Sequence, residues 1–327
     1  MINFGVIGTN WITEAFINAV SHIEDFHLYA VYSRTEERAK SFAEKYQASA
    51  IFTDLEEMAR DEQLDAVYIA SPNSLHSRQA VLFLNQKKHV LCEKPIAANA
   101  IEAAEMIAAA KENKVLLMEA MKSTQMPAFQ QIQENLHKIG KIRRYTGTYC
   151  QYSSRYDAFK RGEVRNAFNP EFSSGALMDL GVYCLYPLVT LFGSPERVQA
   201  SATLLSTGVD GQGSLLLTYP DMEAVIQYSK LADSSVPSEI QGEKGSIMID
   251  KISSPENVWI EYKDGTVENI SESIDFPDMY YEANEFIELL KSQKTESAIN
   301  SFSASLSVMK IMDTARKQTG IIFPSDR

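Results

Sequence analysis

Cysteine is scarce in this chain, with three in 327 residues, at positions 92, 150 and 184. An odd, widely spaced set excludes a disulfide framework and the paired spacing of a zinc ribbon, which leaves buried free thiols as the reading. Histidine is scarce too. His22, His27, His76, His89 and His137 are scattered, with no zinc-like pair and third ligand close by, so no metal centre is expected. Positive charge is in deficit: 31 Lys and Arg stand against 43 Asp and Glu, a net charge of −12. That balance argues against partners such as nucleic acid or an anionic membrane, although a local basic pocket is compatible with it. No apolar run approaches the ~20 residues of a bilayer span. Met1 leads almost directly into an apolar strand with no charged leader segment, and a cytoplasmic location is the expectation.

What is present is ordinary in bulk and ordered in pattern. The chain is 45% hydrophobic and 23% charged, and its length suggests about two domains. Apolar, strand-like runs at 2–8, 26–33, 48–53, 64–71, 88–95 and 114–120 alternate with helical runs at 11–20, 35–46, 55–61, 75–86 and 99–113. Strands that alternate with helices pair in parallel, because each crossover returns the chain across the sheet. The expectation is an α/β fold whose first domain, residues 1–120, is a doubly wound parallel sheet. After Ala120 the texture changes. A helix near 127–138 ends at Gly140, and strand-like runs follow at 145–152, 197–207, 213–220, 222–230, 238–250 and 257–262, joined by short turns. These predict a second domain, 121–327, of α+β type with a largely antiparallel open sheet. Helices are expected at 175–192, 281–292 and 301–318, the last a candidate to pack back on the first domain.

An open parallel sheet binds ligands beyond the carboxyl ends of its strands. At the first such end, "GVIGTNWIT" retains Gly8 but has Asn10 and Thr13 where a dinucleotide fingerprint has its second and third glycines. Gly8, Thr9, Asn10, Trp11 and Ile12 are the candidate pyrophosphate loop. Asn10 is expected to adopt positive φ, as the non-glycine residue that best tolerates it, with the N–H groups of residues 10–12 facing the ligand. An ordinary strand–turn–helix is the other reading of this loop. At the second end, "YSRTEER" has no acid for a ribose hydroxyl. Ser33 and Arg34, with Arg38 one turn on, suit a 2′-phosphate, which favours NADP, with NAD possible. Salt bridges from this helix start to Glu36 or Glu37 are the alternative. The third end supplies Ser71, Pro72, Asn73 and His76. The fourth, "HVLCEKP", puts Glu93 and Lys94 at the end of a buried strand, where charge is costly unless paired or used. Lys94 there suits general acid–base work. In "SSGALMDLGVYCLYPL", Asp179 and Tyr183 are four apart and share a helix face.

Taken together, "GVIGT", "YSRTEERA", "SPNSLH", "KKHVLCEKP", "LLMEAM", "GALMDLGVYCLYPLVTLFG", "GEKGSI" and "GIIFP" resemble, in order and over nearly the whole chain, the glucose–fructose oxidoreductase/inositol dehydrogenase (Gfo/Idh/MocA) family. The resemblance implies an N-terminal Rossmann domain and hydride transfer between NAD(P) and a carbinol or its ketone. It also implies that Lys94 is the catalytic lysine, with Glu93 and Pro95 shaping its turn. Asp179 then orients substrate, and Ser71, Asn73 and His76 belong to the third cofactor loop. Tyr183 stands where many members have histidine, which is similar to the branch containing dihydrodiol and xylose dehydrogenases. Arg165 is a further candidate for the substrate pocket. The chain departs from the family in "MKSTQMP", which lacks a frequent arginine, and in "SSG" (173–175), which replaces a glycine triplet.

The expected activity is therefore an NADP-dependent oxidoreductase of a sugar, polyol or trans-dihydrodiol. Lys94, Tyr183 and Asp179 are its catalytic residues, and Lys94, Arg165, Asp179 and Tyr183 contact the substrate. A small molecule is the expected partner, and a homo-oligomer, with a dimer favoured, is the expected assembly. The competing readings are a redox-neutral NAD(P)-dependent glycosidase and a noncatalytic NADP-binding sensor.

Overall fold

Six runs rich in Val, Ile, Ala and Leu become parallel strands, as the computed structural model shows for the described residues, Met1–Asp326. In chain order these are β1 (Ile2–Ile7), α1 (Trp11–Val20), β2 (Phe26–Tyr32), α2 (Glu36–Tyr46), β3 (Ala50–Phe52), α3 (Leu55–Arg60), β4 (Ala66–Ile69), α4 (His76–Asn85), β5 (His89–Glu93), α5 (Ala100–Asn113) and β6 (Leu117–Ala120). The sheet order β3-β2-β1-β4-β5-β6 reverses direction between β1 and β4, which creates the crevice that binds ligands in doubly wound folds. Strands β4 and β5 each have a neighbour on both sides, and their residues Val67, Tyr68, Ile69, Val90, Leu91 and Cys92 are fully buried. Both faces of such strands are covered, so they read as continuous apolar runs rather than alternating ones. Across the sheet, the Phe16 ring of α1 stacks on Tyr68 with centroids 3.8 Å apart.

The next stretch comprises α6 (Pro127–Asn135), β7 (Ile142–Cys150), α7 (Tyr156–Lys160), a π-helical turn at Leu177–Gly181 that continues as α8 (Val182–Phe192), and strands β8 (Arg197–Leu204), β9 (Asp210–Thr218), β10 (Glu223–Ser229), β11 (Ser238–Gly242), β12 (Gly245–Ile249), β13 (Val258–Tyr262) and β14 (Val267–Asn269). The eight strands form one sheet in the order β14-β13-β12-β11-β7-β10-β9-β8. Every pairing is antiparallel except β7 with β10. The expected architecture is borne out, with that single parallel pair making the sheet mixed. Helix α8 lies on β7 and β10, and the Tyr145 hydroxyl of β7 donates to the Cys184 carbonyl at 3.0 Å. The segment Pro170–Phe192 has the length and apolarity of a membrane span, unlike the expectation from the sequence. It is 72% buried within the protein, as a core helix is.

Two helices complete the chain, α9 (Asp278–Lys291) and α10 (Phe302–Thr319). The protein divides into two compact units: Met1–Met121 with Phe276–Ser305, and Lys122–Asp275 with the residues from Leu306 on. The first unit is thus discontinuous in sequence. Helix α9 falls in it, rather than with residues 121–275, and packs on α1. Phe286 lies 5.8 Å from Phe4, and Lys291 pairs with Asp25 at 2.9 Å. Cys92 and Cys184 are buried free thiols, as expected, while Cys150 is half-buried.

Candidate active site

In the first unit the sheet gathers four loops at the carboxyl ends of its strands. After β1, Gly8 has φ +108, and a Cβ there would sit 2.7 Å from the Ala70 carbonyl oxygen at the end of β4. Glycine is required by this close approach of two strand ends. Asn10 does not take positive φ: its backbone is extended, at φ −108 and ψ 179. Its side chain caps α1 instead, accepting from Ile12 N–H at 3.0 Å and Thr13 N–H at 3.3 Å, while its Nδ2 donates to Ala70 O at 2.9 Å. Asparagine favours both roles, and here the N-cap prevails because the same side chain also ties β1 to β4. The expectation that residues 10–12 turn their N–H groups to a ligand is corrected accordingly. The Ile12 N–H is spent on the cap, which leaves the N–H groups of Asn10 and Trp11. The Trp11 side chain is 68% exposed, so its ring stays out of the protein interior.

After β2, Ser33 is buried and its N–H donates to Phe52 O at 3.2 Å. Arg34 is exposed and forms no ion pair among the described residues. Glu36 pairs with Lys40 at 2.6 Å rather than with Arg34. Arg38 reaches back to the first loop, with Nε to Thr9 Oγ1 at 2.8 Å and Nη2 to Thr9 O at 3.0 Å. Thr35 occupies the N-cap position of α2 without a side-chain cap bond. This strand end has two guanidinium groups and no carboxylate in the ribose position, and it fits a 2′-phosphate better than a free 2′-hydroxyl.

After β4, Ser71 Oγ donates to Gln79 Oε1 at 2.6 Å, and Pro72 leads into a 3-10 turn at Asn73–Leu75. His76 is buried, with Nε2 2.9 Å from Ser71 O and Nδ1 2.9 Å from Pro95 O. Burial holds the imidazole below its usual range, against the pull of those carbonyls. His76 therefore clamps the third loop to the fourth, rather than presenting a ring nitrogen to a ligand. After β5, Glu93 is buried and accepts from the Tyr68 hydroxyl, and the Lys94 N–H donates to Glu93 Oε2 at 3.2 Å. Lys94 itself is half-buried and enters a cis bond to Pro95.

In the second unit Asp179 lies in the π-helical turn, a distortion that in α-helices often marks functional sites. Its side chain is 44% exposed and pairs with Lys230, whose side chain is only 6% exposed. Lys230 also lies 6.0 Å from the Phe168 ring. A buried ammonium is tolerated when it is paired in this way. Tyr183 is mostly buried and packs edge-on to Tyr149, with centroids 5.7 Å apart. Upstream, Ser173 adopts the left-handed conformation, φ 50, that the glycine it replaces would favour, and Ser174 Oγ donates to Asn169 O at 2.8 Å. Gly175 follows at φ +135, and a Cβ there would stand 2.1 Å from Asp210 Oδ1. Asp210 is fully buried and accepts from the Leu177 N–H at 2.7 Å. Burial pushes its carboxyl up to about 6.

Comparison with known proteins identifies the family. Residues 2–121 match the model of an oxidoreductase family with an NAD-binding Rossmann fold, and residues 129–248 match the GFO/IDH/MocA C-terminal domain. The chain is 57% identical, over 327 residues and the whole of both proteins, to scyllo-inositol 2-dehydrogenase (NADP(+)) of Bacillus subtilis. The chain belongs to the GFO/IDH/MocA oxidoreductase family. It is 30% identical to trans-1,2-dihydrobenzene-1,2-diol dehydrogenase of Mus musculus, over 100% of this chain and 99% of that one. Among solved structures, the aldose–aldose oxidoreductase of Caulobacter crescentus shares the fold at a TM-score of 0.86 and 19% identity, covering 98% of this chain and 97% of that one. The protein is a nicotinamide-dependent oxidoreductase of CH–OH groups, as its sequence resemblance implies.

As a member of this family, the chain distributes the expected residues unevenly. Gly8, Thr9, Asn10, Trp11, Ser33, Arg34, Arg38, Ser71, Pro72, Asn73, His76, Glu93 and Lys94 all lie at the carboxyl edge of the first sheet. Asp179 lies in the π-helical turn, and Tyr183 lies in the first turn of α8, which continues from it. Arg165 is exposed and pairs with Glu163 at 3.0 Å, two residues away. Sequence reasoning missed Lys230, the partner of Asp179, which comes at the end of a strand 51 residues later. It also missed the buried carboxyls Asp210, Glu119 and Glu282. The signal for Glu119 was present, as a lone carboxylate in the apolar run "LLMEA".

Proposed function

We propose that the protein is an NADP-dependent dehydrogenase of a cyclic polyol. It oxidises one CH–OH of a six-membered ring, flanked by a trans-neighbouring hydroxyl, to the ketone. The end-to-end identity of 57% with a scyllo-inositol 2-dehydrogenase (NADP(+)) carries the reading. The 30% identity with a trans-dihydrodiol dehydrogenase supports the same chemistry, because both named substrates carry vicinal trans hydroxyls on a six-carbon ring. Arg34 and Arg38 favour NADP over NAD, with Ser33 beside them. Ser71, Pro72 and Asn73 line the nicotinamide half of the cofactor path, and His76 holds that loop in shape.

When bound, the oxidised nicotinamide supplies the hydride acceptor. Lys94 takes the hydroxyl proton as the carbinol C–H bond breaks and the carbonyl forms, and it returns that proton in reduction. Glu93 holds the Lys94 turn through its bond to the Lys94 N–H. Asp179, paired with Lys230, accepts from a neighbouring substrate hydroxyl, and Tyr183 contributes a second hydroxyl to substrate or to the proton transfer. Arg165 is assigned to the rim of the substrate site. A cytoplasmic homodimer belongs to the same proposal. The exposed Leu204 and Leu216 on β8 and β9 offer apolar area to a second copy, and light scattering in solution tests that assembly.

A panel of scyllo-inositol, myo-inositol, aldoses and trans-cyclohexane-1,2-diol, each with NADP and with NAD, tests the substrate and the cofactor together. The expected result is NADP reduction with scyllo-inositol at the highest kcat/KM. Release of an aglycone from a glycoside with no net nicotinamide reduction would overturn the reading in favour of redox-neutral cleavage. Tight NADP binding with no turnover of any polyol would overturn it in favour of a sensor.

A further inference from the structure

Glu119 is a buried carboxyl that the reaction described above leaves unused. It lies in β6 beside Cys92 of β5, and its backbone carbonyl accepts from Asn300 Nδ2 at 3.1 Å. Its side chain turns to the loop that carries Lys94: Oε1 accepts from the Ile96 N–H at 3.0 Å, two residues beyond the lysine. The Ser305 hydroxyl, in the first turn of α10, acts on the carboxyl and lowers it. Its Oε2 is buried and makes no hydrogen bond among the described residues. An orphaned carboxyl oxygen is costlier charged than neutral, so this site holds a carboxyl that gives up its proton late.

The groups around it set the balance. Burial raises the carboxyl, Glu93 adds to the rise, and the Ser305 hydroxyl, the Ile96 N–H and the charge of Lys94 lower it; the outcome is about 7. The Cys92 thiol, itself pushed well up by burial and by Glu119, stays neutral. Helix α5 brings an apolar face, Ala103, Met106 and Ile107, and α9, which also packs on β6, brings the buried Glu282.

We propose that Glu119 is a positioning residue for the Lys94 turn and that its charge sets the pH at which Lys94 becomes a proton acceptor. This rests on the reading of Lys94 as the acid–base group. Above neutral pH the Glu119 carboxylate stabilises the Lys94 ammonium and so delays formation of the free amine. Below it the neutral carboxyl keeps its grip on the Ile96 N–H and withdraws that charge. The position of the loop is thus held constant while the acidity of the lysine is tuned from beneath.

The test is the pH dependence of kcat for scyllo-inositol oxidation with NADP, in the parent, E119Q, S305A and K94M. Glutamine at 119 still accepts from Ile96, but it carries no charge. For E119Q the expected result is a rising limb moved to lower pH by about one unit, with the plateau within about threefold of the parent. Ser305→Ala removes the hydroxyl that lowers the carboxyl, keeps it neutral to higher pH, and moves the limb the same way by less. A merely structural role would lower the plateau and leave the limb in place. Should E119Q fold poorly, S305A carries the same test. If K94M is inactive and the limb is unmoved in both other variants, the inference falls while the reading of Lys94 stands. If K94M turns over at the parent rate, the reading of Lys94 falls and the inference with it.

Discussion

Glu119 and Asp210 are both wholly buried carboxyls, one in each unit, and burial raises both above the ordinary carboxylate range. Their surroundings differ in kind. Asp210 is locked against main chain: it accepts from the Leu177 N–H at 2.7 Å, and Gly175 presses on it so closely that no Cβ fits between them. Its work is to anchor the start of the turn that presents Asp179. Glu119 likewise accepts from one main-chain N–H, but that N–H belongs to the loop that carries Lys94, and each carboxyl keeps one buried oxygen without a hydrogen bond among the described residues. A carboxyl that anchors a backbone and one that tunes a neighbour's charge share their burial. What separates them is the element each one holds: the turn that presents Asp179 for Asp210, and the loop that carries Lys94 for Glu119.

The largest effect expected from breaking this contrast is in the second unit. Gly175→Ala combines φ +135 with a Cβ 2.1 Å from Asp210 Oδ1, and it should destabilise the protein by about 3 kcal/mol in denaturant melts. A change below about 1 kcal/mol would show that the Asp210 site is as yielding as the Glu119 site.

Next in size is the pH dependence of stability. Both folded values lie above the unfolded ones, so each fold-linked contribution is complete below the ordinary value and is lost as pH rises through the folded value. For Asp210 the window runs from 3.8 to about 6, and for Glu119 from 4.5 to about 7. Each amounts to about 3 kcal/mol at most. Asp210→Asn should remove the lower part of the decline, and E119Q the upper part. Urea midpoints measured between those limits separate the two; identical profiles for both variants would erase the distinction.

Smaller effects sharpen the roles of exposed and paired cations. Arg34→Ala should weaken NADP about tenfold to a hundredfold and leave NAD unchanged, as titration calorimetry would show. Equal loss for both cofactors would remove Arg34 from the 2′-phosphate site. Lys230→Met is expected to alter stability by less than about 1 kcal/mol, because the half-exposed Asp179 is hydrated without its partner and the methionine fills the volume. Its effect should appear instead as a raised KM for the polyol. A large loss of stability with an unchanged KM would make the pair structural.

Much of this was readable in the sequence because parallel sheets collect chemistry at one edge. Alternating strand and helix runs located β1, β2, β4 and β5, and the residues after each fell where the fold gathers loops. The second sheet was readable from its short strand-like runs, but the parallel β7–β10 pair was not, since strand direction depends on the long connection between them. Asn10 was misjudged for a definite reason: asparagine suits both positive φ and an N-cap, and only the position of Ala70 O decides. Lys230 was invisible because its partner is 51 residues away and its own surroundings, "QYSKLAD", look like any strand end. Glu119 was visible by the same argument that singled out Glu93, a charge at a buried strand end that is costly unless used. The neighbouring lysine and proline made Glu93 stand out, and nothing in "LLMEA" did the same for Glu119.

The central claim is that Lys94 accepts the proton released as a cyclic polyol is oxidised by NADP. Single-turnover hydride transfer from scyllo-inositol to bound NADP, compared between the parent and Lys94→Met, tests it most directly. The account predicts unchanged NADP affinity with a rate lowered by about a thousandfold. A Lys94→Met variant that binds NADP and transfers hydride at the parent rate would contradict it.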